Sequence, residues 1–102
     1  MIKHVVMLRL HEEAGGHKKQ ENAIRLKSAL ENLSGKIDSL HSIEVGINEA
    51  PDKQAFDLVL TCDITDWPGL ESYRVHPLHQ EVLTMVRQVC SDRAVVDYET
   101  HC

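Results

Sequence analysis

The sequence lacks the features that mark several large classes of protein. None of its 102 residues belongs to an apolar run near the roughly 20 residues that a membrane span requires. Its formal net charge is −5, so the electrostatics do not favour binding to nucleic acid or to an anionic membrane. The residues Met1 to His4 lead directly into a predicted strand, and we therefore expect no signal peptide.

Cysteine is scarce and its spacing is wide. The three cysteines are Cys62, Cys90 and Cys102, an odd number with no CxxC pair. This pattern is typical of reduced thiols in a cytoplasmic protein rather than of a disulfide framework. We expect Cys62 and Cys90 to be packing residues and Cys102 to be a mobile terminal residue.

The apolar residues that are present alternate in four segments. A chain of this length makes one domain, which we assign to residues 1–102. Alternation predicts strands over residues 2–10, 42–48, 55–64 and 92–98, with a loop over 11–16. The short connection between the second and third strands predicts an antiparallel hairpin.

Spacings of three and four residues predict the helices. One helix begins near His17 and is stopped by Gly35, a residue that accepts a left-handed backbone. Thr65 or Asp66 caps a second, short helix, which must end before Pro77, where another helix begins. The order strand, helix, strand, strand, helix, strand is that of a ferredoxin-like α+β fold, a four-stranded antiparallel sheet with helices on one face.

The two faces of the predicted sheet differ in composition. The face that should pack against the helices carries His4, Val6, Leu8, Ile43, Val45, Ile47, Leu58 and Leu60. The opposite face is also partly apolar, with Val5, Met7, Val59, Val96 and Tyr98. Because an apolar patch of this kind usually marks an interface, we predict a homodimer in which the two sheets pack together.

The segment from Tyr73 to His79 concentrates side chains that move protons near neutral pH. It contains a phenol and two imidazoles, and His4 lies in the apolar first strand. If the fold brings His4 and His79 together, the domain holds a polar site. His79 could then act as a general base, with its pKa tuned by burial or by Asp97. In the alternative interpretation His76 only caps a helix, and His79 is a structural residue bonded to Asp97 or to a backbone carbonyl.

A metal site built from His4, His76 and His79 is a weaker hypothesis. His76 lies at a helix boundary, where the direction of its side chain is uncertain, and no cysteine or carboxylate completes a tetrahedral set. We therefore expect no metal ion and no cofactor.

The chain resembles the stress-responsive A/B-barrel (Dabb) family of dimeric α/β barrels. The resemblance covers nearly the whole chain. Its most specific part is the pattern Tyr73-x-x-His76-Pro77-x-His79, supported by the segments 3–6, 45–46 and 56–57 and by Asp97. The resemblance implies a homodimer whose sheets pack into a barrel.

The resemblance also implies site residues. A plant polyketide cyclase of this family performs an aldol cyclisation with a helix Tyr and His, which match Tyr73 and His79 here. His4 and Asp97 match further polar residues of that cavity, whereas Leu58 stands where the cyclase has a cavity His. Haem binding is an alternative that the resemblance also implies, because related dimeric barrels bind haem. In this chain, His4 or His79 would be the axial ligand. A plain pocket is favoured because the chain has only four aromatic residues.

The sequence thus predicts a cytoplasmic homodimer with a small apolar cavity in each subunit. The cavity would bind a small carbonyl compound, or perform acid–base chemistry of the cyclase or lyase kind on it, with Tyr73 and His79 as catalytic residues. The predicted substrate-binding residues are His4, Asp97, His76, Val6, Leu8, Leu58 and Leu60. The alternative is a non-catalytic, stress-associated dimer whose polar residues are structural.

Overall fold

The computed structural model describes residues 1–101 and confirms the ferredoxin-like α+β fold. In chain order the elements are β1 (Ile2–Leu10), β2 (Glu13–Ala14), β3 (His17–Lys18), α1 (Lys19–Glu31), β4 (Leu40–Ile47), β5 (Leu58–Ile64), α2 (Trp67–Val75), α3 (Pro77–Val89) and β6 (Cys90–Glu99). The four long strands form an antiparallel sheet in the order β4-β5-β1-β6. Within this described part of the chain, no helix is long and apolar enough to span a membrane.

The central strand β1 sets the register of the sheet. Along one edge it pairs with β5, so that Val6 lies opposite Leu60, and along the other it pairs with β6, so that His4 lies opposite Asp97. Because side chains alternate between faces, directly paired residues of antiparallel strands share a face. The strand pairing therefore places His4 and Asp97 side by side on the helix-bearing face.

A small hairpin, which was not predicted from the sequence, occupies part of the predicted loop over residues 11–16 and the predicted start of the first helix at His17. The strands β2 and β3 pair with each other and are joined by Gly15 and Gly16, which have φ angles of 60° and 83°. Two consecutive residues with positive φ are characteristic of the tight turn that favours glycine. Two-residue strands are too short to show an alternating pattern, which is why periodicity did not reveal them.

The first helix is shorter than predicted. It ends at Glu31, not at Gly35, although Gly35 does adopt a left-handed backbone with φ of 76°. Leu33 and Ile37 lie beyond the helix in a series of turns and are nevertheless buried. The helix-like spacing of apolar residues thus extends beyond α1 because Leu33 and Ile37 are still buried there, although the backbone is no longer helical.

The break between α2 and α3 lies where the proline predicts it. Asp66 caps α2 by accepting a hydrogen bond of 2.7 Å from the Gly69 N–H, which decides between the two predicted caps. The helix ends at Val75, and Pro77 is the first residue of α3. A single residue, His76, joins the two helices in extended backbone geometry, because the residue before a proline disfavours the helical conformation.

The core lies between the helices and one face of the sheet, but it does not reach the β6 edge. Val6, Leu8, Val45, Leu58 and Leu60 are buried as predicted. Ile43 and Ile47 are only partly buried and pack against the margin of the core. Most residues of β6 are exposed, on both faces of the strand. The helical layer therefore leaves the helix-side face of β6 uncovered.

The opposite face of the sheet is in contact with solvent in the single chain. It displays the large side chains Met7, Val59, Val96 and Tyr98, which are between 37% and 58% exposed. Val5 and Thr61, a facing pair on the same surface, are partly buried. We call this surface the open sheet face.

The burial pattern of α1 gives a stability prediction. Leu26 is fully buried, so replacing it with alanine leaves a cavity and should lower the free energy of unfolding by about 2–5 kcal/mol. Ile24 on the same helix is 63% exposed, and Ile24→Ala should change that free energy by less than about 0.5 kcal/mol. Chemical denaturation of both variants measures the difference, and equal effects would contradict the orientation of α1.

Candidate functional site

The pair of His4 and Asp97 joins two neighbouring strands. His4 is buried in β1, and its Nδ1 hydrogen-bonds Oδ1 of Asp97 directly across on β6. A carboxylate only accepts hydrogen bonds, so Nδ1 of His4 is the donor. In the neutral form of the ring, the lone pair is then on Nε2, and this atom has no hydrogen-bond partner among residues 1–101.

His79 adopts the same tautomer from the helix side. It is buried in the first turns of α3, and its Nδ1 lies 3.0 Å from the backbone oxygen of Arg74. Because a carbonyl oxygen only accepts, Nδ1 must donate, and Nε2 keeps its lone pair. In the described part of the chain this Nε2 also has no hydrogen-bond partner.

The pKa of His79 is lowered from its ordinary value of 6.5. Burial is the main cause, because it disfavours the charged imidazolium, while the hydrogen bond to Arg74 opposes the shift. A positive charge on His4, present only when that imidazole is protonated, and the charges of Arg93 and Arg74 lower the pKa further. The expected tuning of His79 by Asp97 is wrong, because the register of β1 and β6 gives that carboxylate to His4.

Tyr73 lies against both imidazoles. Its ring centroid is 4.3 Å from that of His79 and 5.8 Å from that of His4. Its side chain is fully buried, and within residues 1–101 its hydroxyl has no hydrogen-bond partner of normal geometry, although the Cys62 thiol lies near enough to interact with it. Burial and the neighbouring Cys62 thiol raise the Tyr73 pKa above its usual value. Burial likewise raises the pKa of the Cys62 thiol to about 12.

A cleft of about 390 Å³ opens beside these residues, between the α2–α3 pair and β6. His4, His79 and Asp97 line it, but Tyr73 does not, because it is enclosed behind the two imidazoles. The lining is mainly polar, which corrects the expectation of an apolar cavity. The further polar side chains around the cleft are Glu71, Arg74, Gln80, Arg87 and Arg93.

The predicted apolar lining is divided between two places. Val6, Leu8 and Leu60 line a narrow recess of about 20 Å³ that also touches His4 and His79. Leu58 lines neither the cleft nor this recess, and it borders a separate pocket with Met7 and Val59. The cleft is therefore a wide polar opening with a tight apolar recess beside it.

His76 does not reach the cleft. Its Nδ1 accepts a hydrogen bond of 3.1 Å from the Leu78 N–H, so that it caps α3 and borders a different hollow with Ile37 and Ser72. The predicted helix-capping alternative therefore describes its position. The part of the chain that the structure describes contains no group of three or more His, Cys, Asp or Glu side chains arranged to hold a metal ion.

The sequence analysis missed the arginines of the cleft. Arg93 shares the uncovered helix-side face of β6 with Asp97 and lies opposite Leu8 of β1. An alternation from residue 93 to 97, aligned with the alternation of β1, could have identified it. Arg74 and Arg87 lie in the last turns of α2 and α3 and left no periodic signal.

Comparison with known proteins gives a family. A model of the stress responsive A/B barrel domain matches residues 2–100. The chain belongs to this family. No curated protein matches this chain.

Solved structures share the fold of this A/B barrel domain. A dimeric ferredoxin-like protein of unknown function from Bacteroides fragilis is 28% identical, with a TM-score of 0.85 over 97% of this chain and 95% of that one. A dimeric ferredoxin-like protein from Jannaschia sp. is 26% identical, with a TM-score of 0.75 over 97% and 98%. A hydroxynitrile lyase from Passiflora edulis is 15% identical, with a TM-score of 0.79 over 95% and 90%, and this likeness is one of fold alone.

The buried hydroxyl of Tyr73 gives a prediction for the A/B barrel domain. Tyr73→Phe removes a buried hydroxyl that interacts only with a weak hydrogen-bonding group, the Cys62 thiol, so the free energy of unfolding should stay equal or rise by about 1 kcal/mol. Thermal melting of the variant measures this. A loss of about 1–3 kcal/mol would instead mean that the hydroxyl makes a hydrogen bond in solution.

Proposed function

We propose that this A/B barrel domain binds a small carbonyl compound in the cleft and uses His79 as a general base toward the carbon beside the carbonyl. The observation that supports this proposal is that two imidazoles border the same cleft and both donate a hydrogen bond through Nδ1. His4 and His79 each use Nδ1 in a hydrogen bond within the protein, so that in each neutral ring the lone pair lies on Nε2. Two fixed acceptors beside an opening large enough for a small molecule form a site suited to proton transfer.

The electrostatics of His79 suit the role of base. Because burial lowers its pKa below the ordinary value of 6.5, the imidazole is mainly neutral at neutral pH and its lone pair is available. The hydrogen bond to the Arg74 carbonyl holds the ring in place and stabilises the positive charge that forms when Nε2 takes a proton. This arrangement resembles the usual device by which a backbone or carboxylate oxygen orients a catalytic histidine.

His4 and Tyr73 have supporting roles in this proposal. Asp97 fixes the tautomer of His4, whose position across the cleft suits it to orient a carbonyl group or a water molecule. Tyr73 acts as a positioning residue, since its ring contacts both imidazoles while its hydroxyl stays out of the cleft. The earlier hypothesis of Tyr73 as a hydrogen-bond donor to the substrate requires a contact that the enclosed hydroxyl does not make.

Two further points bear on a role in catalysis. The fold of a hydroxynitrile lyase is similar, so this scaffold is compatible with lyase chemistry. The alternative of a non-catalytic, stress-associated dimer predicts a filled core around His79, and the open cleft favours the first proposal.

Deuterium exchange tests the base role of His79. In D₂O, wild-type protein should accelerate the exchange of hydrogen for deuterium at the α-carbon of a simple ketone such as cyclohexanone. Proton NMR measures the rate of this exchange. His79→Asn should reduce that acceleration by roughly 10²–10⁴, the usual contribution of a positioned base. His11→Asn is the matched control, because His11 is exposed and outside the cleft.

Stability measurements separate loss of a base from loss of structure. The Arg74 carbonyl also accepts a hydrogen bond of 2.6 Å from Gln80 Nε2, so it stays satisfied when His79 is replaced. We therefore expect His79→Asn to cost only about 1 kcal/mol of unfolding free energy. Equal exchange in His79→Asn and wild type would contradict the base role. A wild-type protein that neither binds nor exchanges ketones would favour the non-catalytic dimer.

We also propose that the chain forms a homodimer through the open sheet face. Apolar side chains on this face would otherwise stay in contact with water, and the relatives from Bacteroides fragilis and Jannaschia sp. are described as dimeric. Sheet-to-sheet packing would bury on the order of 1,500 Å² in total, as stable interfaces do. The cleft lies on the other side of the sheet and stays accessible in this arrangement.

Sedimentation measures the dimer directly. The wild-type protein should have twice the chain mass of 11.6 kDa at micromolar concentration. Val96→Lys places a charge on the edge strand β6 of the open sheet face and should give a monomer. Ile24→Lys is the matched control, since Ile24 is equally exposed but lies on the helical side. A monomeric wild type would contradict the proposal.

A further inference from the structure

Positive charge is concentrated around the cleft of an acidic chain. The chain carries 16 acidic residues against 11 lysines and arginines, and only five of its residues are arginines. Three of those five, Arg74, Arg87 and Arg93, line the one cleft that contains His4 and His79. Lysine does not line this cleft at all.

The two acidic groups of the cleft already have partners. Asp97 is hydrogen-bonded to His4, and Glu71 is ion-paired with Arg74 at 3.3 Å. Arg87 and Arg93 make no ion pair and no side-chain hydrogen bond with any of residues 1–101. Asp92 borders an adjoining hollow with these two arginines, and its Oδ1 accepts from the backbone N–H of Arg93 rather than from a guanidinium.

Arg93 differs from the other two arginines of the cleft in its position beside the imidazoles. It borders the cleft and also the narrow recess that His4 and His79 share with Val6 and Leu60. Its charge acts on His79 and on Tyr73, lowering the pKa of each against the larger effect of burial on Tyr73. A guanidinium presents a fork of N–H donors that matches the two oxygens of a carboxylate.

We propose that Arg93, assisted by Arg87, forms an anion-binding subsite of the cleft, and that the compound bound there carries a carboxylate beside its carbonyl group. The inference rests on the proposed function for the carbonyl half of this ligand. Carboxylic acids are ionised at neutral pH, so such a compound presents a full negative charge to the guanidinium groups. The preferred ligand is therefore a small keto acid, and a neutral ketone should bind the same cleft more weakly.

A matched pair of probes tests the subsite. Isothermal titration at neutral pH compares freshly prepared acetoacetate with 2,4-pentanedione, in which a neutral acetyl group replaces the carboxylate. Wild-type protein should bind acetoacetate about 10- to 100-fold more tightly, which is the usual effect of hydrogen bonds to a charged group. Arg93→Gln should abolish that preference while keeping the affinity for 2,4-pentanedione. Arg93→Lys should keep part of the preference, because it retains the charge and loses the fork.

The control variant is Arg25→Gln. Arg25 lies on α1 outside the cleft, with its guanidinium 3.3 Å from Asn22 Oδ1, and its replacement should leave the preference unchanged. A second measurement follows the His79 imidazole by NMR titration. Removing the nearby cation in Arg93→Gln should raise the His79 pKa, and Arg25→Gln should not. An unchanged His79 pKa in Arg93→Gln would place the guanidinium too far from the imidazole and overturn the proposal.

The outcomes distinguish this inference from the proposed function. Equal binding of both probes by wild type overturns the anion subsite and leaves the carbonyl site standing. Binding of acetoacetate alone supports the subsite and counts against a general carbonyl site. Binding of neither probe overturns both. A preference that survives in Arg93→Gln overturns the assignment to Arg93.

Discussion

The candidate site depends on the fact that the layer of helices is narrower than the sheet on which it packs. Three helices cover β4, β5 and β1, but they do not extend over β6. The sheet still needs β6, because pairing along both edges of β1 satisfies the backbone of the strand that carries His4. One strand thus contributes hydrogen bonds to the fold while its helix-side residues remain accessible. The cleft is the direct result of this partial cover.

Burial has opposite effects on the polar groups around that cleft. It lowers the pKa of His79 and raises the pKa of Tyr73, so both side chains are held neutral. Neutral groups can be enclosed at a much smaller cost than charged ones, which lets the tilted rings of Tyr73 and His79 pack together at the margin of an apolar core. Charge is confined to the outer part of the cleft, where arginine and carboxylate side chains reach water.

The sequence predicted the elements that leave a regular pattern. The alternation of β1 and the position of Pro77 fixed a long strand and a helix break, and both are found where expected. The end of α1 was misplaced because Leu33 and Ile37 stay buried in turns that keep a helix-like spacing. The two short strands around Gly15 and Gly16 contain too few residues for any period.

The candidate site was only partly predictable, because only some of its residues belong to a regular apolar pattern. His4 and His79 could be placed together, because each lies on the apolar side of its own element. The partner of Asp97 could not be predicted, because the register of β6 against β1 is not readable from the sequence. A shift of that register by two residues would have moved the carboxylate away from His4. Arginines of the cleft are exposed, and an exposed charge on a helix or edge strand does not differ in sequence from any solvated residue.

The one-residue joint between α2 and α3 has a consequence for recognition. Val75 ends one helix, Pro77 begins the next, and His76 between them is held by its own bond to the Leu78 N–H. The proline ring fixes its own φ and restricts the residue before it, so the wall that these helices form has few backbone torsions free to change. A molecule entering the cleft meets a wall that is already in its final shape. Little conformational entropy is then lost on association, and weak contacts made by a small ligand are enough to select it by shape.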